Sequence, residues 1–213
     1  MRSFALSPED LVMKLRTMGI ADERLLGAFR RIPRAGFVPT EARERAYEDL
    51  PLPIAHGQVT TQPSLLALMV EALESRGDER ILEIGTGLGF QTAILASLCR
   101  EVVSIEWFAD LAEQARANLA ATGVRNAMVL VGDGSLGLPE RAPYDGIVVA
   151  AAAPEVSQPL VDQLAEGGRL VQPLGTGGDE LVTAFTKRAG QLVEIAALTG
   201  AHFVPLRGAF GIR

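Results

Sequence analysis

The sequence predicts a single α/β domain, a doubly wound and mostly parallel sheet with an antiparallel element near its C-terminal end. Three observations carry this. Short apolar runs alternate with segments of helical spacing from Arg80 to Pro173, as parallel strands joined by crossover helices require. From Glu180 onward, two strand-like runs flank Arg188-Ala-Gly190 with no helix between them, which reads as a hairpin. Finally, Gly85 to Gly89, Glu106, Asp133 and Ala150 to Pro154 all fall at strand ends, on the carboxyl edge where such sheets bind ligands.

The first helix starts at Ser7-Pro8-Glu9-Asp10: Ser7 caps it, Pro8 suits the first helical position, and the acids favour the positive end of the dipole. It stops at Gly19. A second helix begins near Asp22, sets Leu25, Leu26 and Phe29 on one face, and ends at Pro33. Arg30, Arg31 and Arg34 crowd that end, where cations complement a helix C-terminus. A proline-punctuated connection follows, through Phe37-Val-Pro and Ala46-Tyr-Glu-Asp-Leu-Pro-Leu-Pro-Ile54, apolar enough to pack on the core. The loop from Ala55 to Pro63 then gathers His56, Gln58, Thr60, Thr61 and Gln62 just before a helix over Ser64 to Leu73. Hydrogen-bonding groups in a loop upstream of a ligand-binding strand are placed to face a substrate. Residues 1–60 read as a helical and irregular N-terminal extension, and residues 61–213 as the core of the same domain.

The chain is organised around Arg80 to Glu106. Ile81, Leu82 and Ile84 form an apolar strand that runs into Gly85-Thr86-Gly87-Leu-Gly89, and glycine tolerates both positive φ and a ligand lying on bare backbone. A helix over Gln91 to Leu98 and a second strand over Val102 to Glu106 follow. An acid about twenty residues past the glycines suits ribose hydroxyls. A nucleotide, a nicotinamide dinucleotide and S-adenosylmethionine all present a ribose. The dinucleotide fingerprint wants glycine at its sixth position, which here is Phe90. Glu83 stands two places before the first glycine, where it suits the cationic amino-acid end of S-adenosylmethionine, directly or through water. S-adenosylmethionine is favoured, and a dinucleotide stays open. A ligand-free turn accounts poorly for both acids.

The remaining elements continue the alternation. A helix covers Ala109 to Ala121, a third strand Ala127 to Val131 ends in Gly132-Asp133-Gly134, and a fourth runs from Tyr144 to Ala150. Asp133 serves either an Asp-Gly turn or the ligand edge. Leu160 to Leu164 reads as a helix, Gly168 to Pro173 as a fifth strand, and Ala201 to Leu206 as extended. The order of the last strands is not legible from the sequence.

With 213 residues, nearly half of them apolar, the chain is long enough for one well-buried domain. A formal net charge of −6 gives no global electrostatic reason to bind nucleic acid. The longest apolar runs, such as Gly146 to Pro154, are too short to span a bilayer, and Met1 to Pro8 lacks the apolar core of a signal peptide, so a cytosolic location is expected. Cys99 is the single cysteine; on the apolar side of its predicted helix it reads as a buried small hydrophobe, with no internal disulfide. Two histidines and one cysteine offer no structural-zinc spacing, and no metal is expected.

At this point the residues resemble a family, the protein-L-isoaspartate (D-aspartate) O-methyltransferases. The resemblance runs through Ile32-Pro-Arg, Phe37-Val-Pro, Ala46-Tyr-Glu-Asp-Leu-Pro-Leu-Pro-Ile, His56-Gly-Gln-Val-Thr-Thr-Gln-Pro, Leu82-Glu-Ile-Gly-Thr-Gly-Leu-Gly-Phe-Gln-Thr, Gly132-Asp-Gly, Ala142-Pro-Tyr-Asp and Phe203-Val-Pro-Leu. It covers nearly the full length. The glycine loop is common to many methyltransferases, whereas Pro-Leu-Pro-Ile and Gly-Gln-x-x-Ser/Thr-Gln-Pro are specific. It implies a Rossmann-like, S-adenosylmethionine-dependent fold and a monomeric cytosolic repair enzyme. That enzyme methylates the free carboxylate of L-isoaspartyl residues in damaged proteins and leaves S-adenosylhomocysteine. It further implies that Thr61 is the active-site hydroxyl, Glu106 binds the ribose, Asp133 with Gly134 lies near the adenine, and Gly85, Thr86, Gly87 and Gly89 lie along the cofactor. Phe203, Val204 and Leu206 would hold the substrate peptide, with His56, Gln58, Thr60 and Ala150 around it.

Three positions depart from the family pattern. Thr61 stands where serine is usual, adding a methyl and a stiffer χ1. Ala55 replaces a frequent glycine. Ala150 begins the usual Thr-Ala-Ala and so removes a hydroxyl. Methyl transfer survives these changes, while the acceptor stays open between isoaspartyl residues and a defined aspartate of one partner peptide. A non-catalytic cofactor-binding module is the other reading.

The chemistry suits a chain poor in nucleophiles. Methyl transfer from a sulfonium is an in-line displacement, and a carboxylate with a pKa near 4 is already ionised, so no general base is required. Alignment and exclusion of water do the work. Thr61 is then the hydroxyl that orients the carboxylate, against a plain role as a turn or cap before Pro63. His56, beside Gly57, reads as a turn residue with a satisfied ring or as a substrate contact.

Overall fold

The computed structural model describes residues 6–176 and 178–212. Helix α1 (Pro8–Thr17) starts with a reciprocal cap: the Ser7 hydroxyl accepts the Asp10 N–H at 3.3 Å, and the Asp10 carboxylate accepts the Ser7 N–H at 2.8 Å. Asp22 caps α2 (Glu23–Arg31) by accepting the N–H groups of Arg24 and Leu25. Leu11, Leu15, Leu25, Leu26 and Phe29 belong to one buried cluster with Met69, Ile81, Phe90 and Ile94. The N-terminal helices therefore sit on one face of the sheet together with α3 (Pro63–Glu71).

The cations at the end of α2 separate. Arg30 pairs with Glu9 at the surface, at 2.6 Å. Arg34 does not serve the helix end, contrary to expectation; it is buried among the carbonyls of the connection, within the 3-10 turn Arg34–Phe37. That connection, with a further turn over Thr40–Arg45, packs Val38, Ala46 and Leu52 into a small apolar cluster.

Among the described residues the sheet has seven strands: β1 (Arg80–Ile84), β2 (Glu101–Glu106), β3 (Ala127–Val131), β4 (Tyr144–Val149), β5 (Leu164–Leu174), β6 (Glu180–Arg188) and β7 (Gln191–Ala201). Their order is β3-β2-β1-β4-β5-β6-β7. The first five are parallel, with Leu82 of β1 beside Val103 on one side and Ile147 on the other; β6 and β7 are antiparallel. The doubly wound sheet with an antiparallel C-terminal element is thus as predicted. The sequence-distant strands β1 and β4 meet at its centre, which makes their carboxyl ends the switch point where ligands bind.

Both faces are covered. Ile81, Val102, Val129, Val148 and Val171 face the first cluster, with α4 (Phe90–Ala96) and α5 (Ala109–Ala121). Leu82, Ile84, Val103, Ile147 and Leu170 face a second, which includes Leu160 of α6 (Gln158–Gln163). Alternate side chains of a strand point to opposite faces, and burial of both explains the nearly unbroken apolar runs.

Several boundaries differ from expectation: β5 begins at Leu164 and not at Gly168, and α6 starts at Gln158 and not at Leu160. Helix α4 ends at Ala96, so Cys99 lies in the turn beyond it; the residue is still buried, and burial pushes its thiol up to about 12. Residues 202–206, expected to be extended, pair through one bridge at Pro205 and form no further strand among the described residues. They run beside Ala152, whose N–H donates to Val204 O at 2.9 Å and whose carbonyl accepts the Leu206 N–H at 2.7 Å. Among the described residues no helix is long and apolar enough to cross a membrane.

Candidate active site

A cleft of about 910 Å³, mouth included, opens beyond the carboxyl ends of β1, β2 and β4. Its wall includes Gly85, Thr86 and Gly87 after β1, Glu106 at the end of β2, Ala150 after β4, and Gly134. Gln58, Thr60 and Thr61 come from the polar loop, and Val204 and Leu206 from the returning C-terminal segment. These predicted residues lie far apart in the sequence and meet here.

The glycine loop is held from two sides. Gly89 caps α4 with φ of 93°, a conformation closed to most side chains, and an added Cβ would touch Ala115 and Leu119 of α5 at 3.4 Å. Gly89 therefore packs the helix and is absent from the cleft wall. The Glu106 carboxylate accepts the Gly87 N–H at 2.8 Å through Oε2 and the Phe108 N–H at 3.0 Å through Oε1. An ionised carboxylate offers about four lone-pair sites. Each oxygen of Glu106 thus retains capacity for one of two neighbouring hydroxyl donors.

Glu83 does not reach the cleft. It is fully buried beneath the loop, where it accepts hydrogen bonds from Gln91 Nε2 at 3.0 Å, Thr92 Oγ1 at 2.5 Å and Ser104 Oγ at 2.6 Å. The expected direct contact with a ligand is closed off, because Gln91, which is on the wall, stands between. Burial pushes the Glu83 carboxyl up to about 7, against the pull of its Ser104, Thr92 and Gln91 donors. The buried Oε1 of Gln91 has no partner among the described residues.

The loop before α3 separates its two threonines. Thr60 Oγ1 accepts the Leu52 N–H at 3.0 Å and Arg34 Nη2 at 3.1 Å. The Thr61 hydroxyl has no hydrogen bond among the described residues. Nor does it cap α3: the Ser64 N–H donates to Asp49 Oδ1 at 2.8 Å.

His56, Asp133 and Phe203 lie off the wall. His56 has φ of 59°; its ring stacks on Phe108 at 4.1 Å, and Nε2 lies 2.8 Å from Asp110, which holds the Asp110 carboxyl below its usual range. Asp133 accepts Ser135 N–H and Oγ through Oδ1, at 2.9 and 2.6 Å, and the Ala209 N–H through Oδ2 at 2.7 Å. It clamps the C-terminal turn. Phe203 packs against the first core cluster, and its N–H donates to Glu180 at 2.9 Å.

Sequence reasoning missed Phe37, Ile54, Gln91, Trp107, Phe108, Leu111 and Arg207 on the wall. Trp107 and Phe108 were within reach, since they directly follow the acid that ends β2. Arg207 lies at the rim, its Cζ 5.2 Å from the centroid of the Phe108 ring.

A doubly wound sheet with a glycine loop at its switch point and an acid at the next strand end defines an α/β domain of the methyltransferase kind. A solved structure named protein-L-isoaspartate O-methyltransferase superposes with a TM-score of 0.86 at 31% identity, covering 96% of this chain and 67% of its own. Another, from Plasmodium falciparum and solved in complex with S-adenosyl-L-homocysteine, shares the fold with a TM-score of 0.81 at 24% identity, over 95% of this chain and 99% of its own. The family model of the protein-L-isoaspartate(D-aspartate) O-methyltransferases matches residues 6–210, and the chain belongs to that family. Relatives named protein-L-isoaspartate O-methyltransferase include one from Methanoculleus marisnigri, 52% identical over 95% of this chain and 92% of its own. Another, from Myxococcus xanthus, is 48% identical over 89% and 91%.

Proposed function

We propose that this chain methylates the free carboxylate of L-isoaspartyl residues in damaged proteins, using S-adenosylmethionine, and that Thr61 orients that carboxylate. Family membership supports the activity. The observation that carries the role of Thr61 is that it lines the cleft and its hydroxyl has no partner among the described residues, whereas the neighbouring Thr60 hydroxyl already accepts two hydrogen bonds.

The residues fit the cofactor. Glu106 retains one acceptor site on each oxygen for the ribose hydroxyls, and the bare backbone of Gly85 and Gly87 allows close approach. Gln91, whose Nε2 is held by Glu83, lines the cleft and keeps its Oε1 without a partner among the described residues. When bound, S-adenosylmethionine supplies a methyl group on a sulfonium. The chain's own work is to hold the acceptor carboxylate at Thr61, to enclose it between the polar loop and Val204 to Leu206, and to keep water out. No side chain has to remove a proton, because the carboxylate is already ionised. Asp133 and Gly134 sit at the adenine side in this reading, with Asp133 acting through the turn that it clamps. A monomeric, cytosolic enzyme goes with it through the family resemblance.

The test supplies labelled S-adenosylmethionine and paired peptides that differ only in an isoaspartyl or aspartyl linkage. Labelling of the isoaspartyl peptide alone is expected. Equal labelling, or none, overturns the reading, and labelling confined to one aspartyl sequence points instead to a dedicated partner peptide.

A further inference from the structure

We propose that Arg34 is the positioning residue of the acceptor loop: its guanidinium fixes Thr60 and Thr61 from behind and sets there the positive charge that draws an anionic acceptor to that side of the cleft. This rests on the role assigned to Thr61.

Arg34 is only 1% exposed. Its Nη1 donates to the carbonyls of Ala46 at 2.7 Å and Glu48 at 3.1 Å; its Nη2 donates to Leu50 O at 3.2 Å, Thr60 Oγ1 at 3.1 Å and, at the limit of 3.5 Å, Thr61 O. The fork thus ties the connection over residues 46–50 to the two threonines of the cleft wall. Among the described residues every contacting oxygen is neutral. Asp49, the acid whose charge acts on Arg34, is occupied by the Ser64 N–H at 2.8 Å and Gln62 Nε2 at 3.1 Å. Burial lowers the guanidinium to about 10, still charged at neutral pH. Arg34 Nε has no partner among the described residues.

A desolvated cation without a contacting counter-ion is costly. A neutral amide could bridge some of the same carbonyls without that cost, but it would carry no charge. The acceptor in this reaction is an anion, and the two residues that the fork holds line its side of the cleft.

The experiment compares the full-length chain with Arg34→Gln, Arg34→Lys, Thr61→Ala and the Arg34→Gln/Thr61→Ala double variant. It reads initial rates on an isoaspartyl peptide, S-adenosylhomocysteine affinity by calorimetry, and hydrogen exchange over residues 58–62. Arg34→Gln is expected to raise KM for the peptide about tenfold and to lower kcat, with S-adenosylhomocysteine affinity held within about twofold. Arg34→Lys keeps the charge without the fork, so it should recover KM more than kcat. The kcat loss from Arg34→Gln should largely vanish in the Thr61→Ala background, because one residue acts through the other. Both Arg34 variants should speed exchange at Thr60 and Thr61.

Additive kcat losses, an unchanged KM, or a fall in S-adenosylhomocysteine affinity parallel to the loss of activity overturns the proposal. If Arg34→Gln does not fold, Thr60→Val removes one acceptor of the fork, and unchanged exchange in the loop then overturns it. Failure of the unaltered chain to label the peptide would overturn the functional reading, while the exchange measurement would still judge the fork.

Discussion

The amide N–H of Gly87 donates to the Glu106 carboxylate at 2.8 Å, so the acid that ends β2 also holds the loop that ends β1. One side chain shapes the glycine loop and faces the cleft. Replacing it by alanine removes the loop's anchor and, in the proposed function, the ribose acceptor with it. Glu106→Ala should weaken S-adenosylhomocysteine binding by roughly 10- to 100-fold, the size of one or two charge-assisted hydrogen bonds. Titration calorimetry checks this, and unchanged affinity would remove Glu106 from the cofactor site.

Thr61 makes the opposite prediction. If its hydroxyl, unpartnered among the described residues, orients the acceptor as proposed, Thr61→Ala should lower kcat about tenfold or more while cofactor affinity stays nearly constant. Thr61→Ser, which keeps the hydroxyl, should retain most of the turnover. A variant that loses affinity and keeps turnover would place Thr61 against the cofactor.

Glu83 predicts a pH signature. Its folded pKa of about 7 lies above the ordinary 4.5, so between those values the native chain holds a proton that the unfolded chain has released. Its contribution is fully present below about pH 4.5 and is lost as pH rises through about 7. Glu83→Gln cannot ionise and should flatten this dependence. Urea unfolding at about pH 5 and about pH 8 should show the unaltered chain losing up to about 3 kcal/mol more than the variant. Equal losses would mean that Glu83 is ionised throughout.

Gly134 sits against Ile84, and a Cβ built there would collide with the Ile84 side chain. Gly134→Ala should cost about 1–3 kcal/mol as overpacking at the end of a core strand. At Gly36 an added Cβ meets nothing within 4 Å, so Gly36→Ala should change stability by no more than about 0.5 kcal/mol. Denaturant midpoints of the two variants check the contrast, and two equal midpoints would refute it.

The fold was legible wherever local chemistry decides it. Ser7 and Asp22 mark helix starts by their side-chain oxygens, and α5 and β3 have the predicted bounds because their periodicities differ sharply. The place of β6 and β7 was not legible, because pairing partners are chosen by contacts distant in sequence. The same holds at the cleft. Gly85, Gly87 and Glu106 could be read from spacing, since a ligand's backbone contacts constrain residue type. Arg34 could not, because its partners are mostly carbonyl oxygens, which any residue supplies. The indirect position of Glu83 was equally hidden: spacing sets its distance from the glycines and leaves open that Gln91 covers it.

The return of the chain to Ala152 after β7 governs when the cleft is complete. Val204, Leu206 and Arg207 form cleft wall, and Ala209 closes the turn on Asp133, yet these residues are translated long after the glycine loop. A nascent chain that has already folded β1 to β4 still lacks that wall while residues 204–209 remain inside the ribosome. The glycine loop therefore exists before the segment that walls it, and the cleft is completed only after β7 has been made.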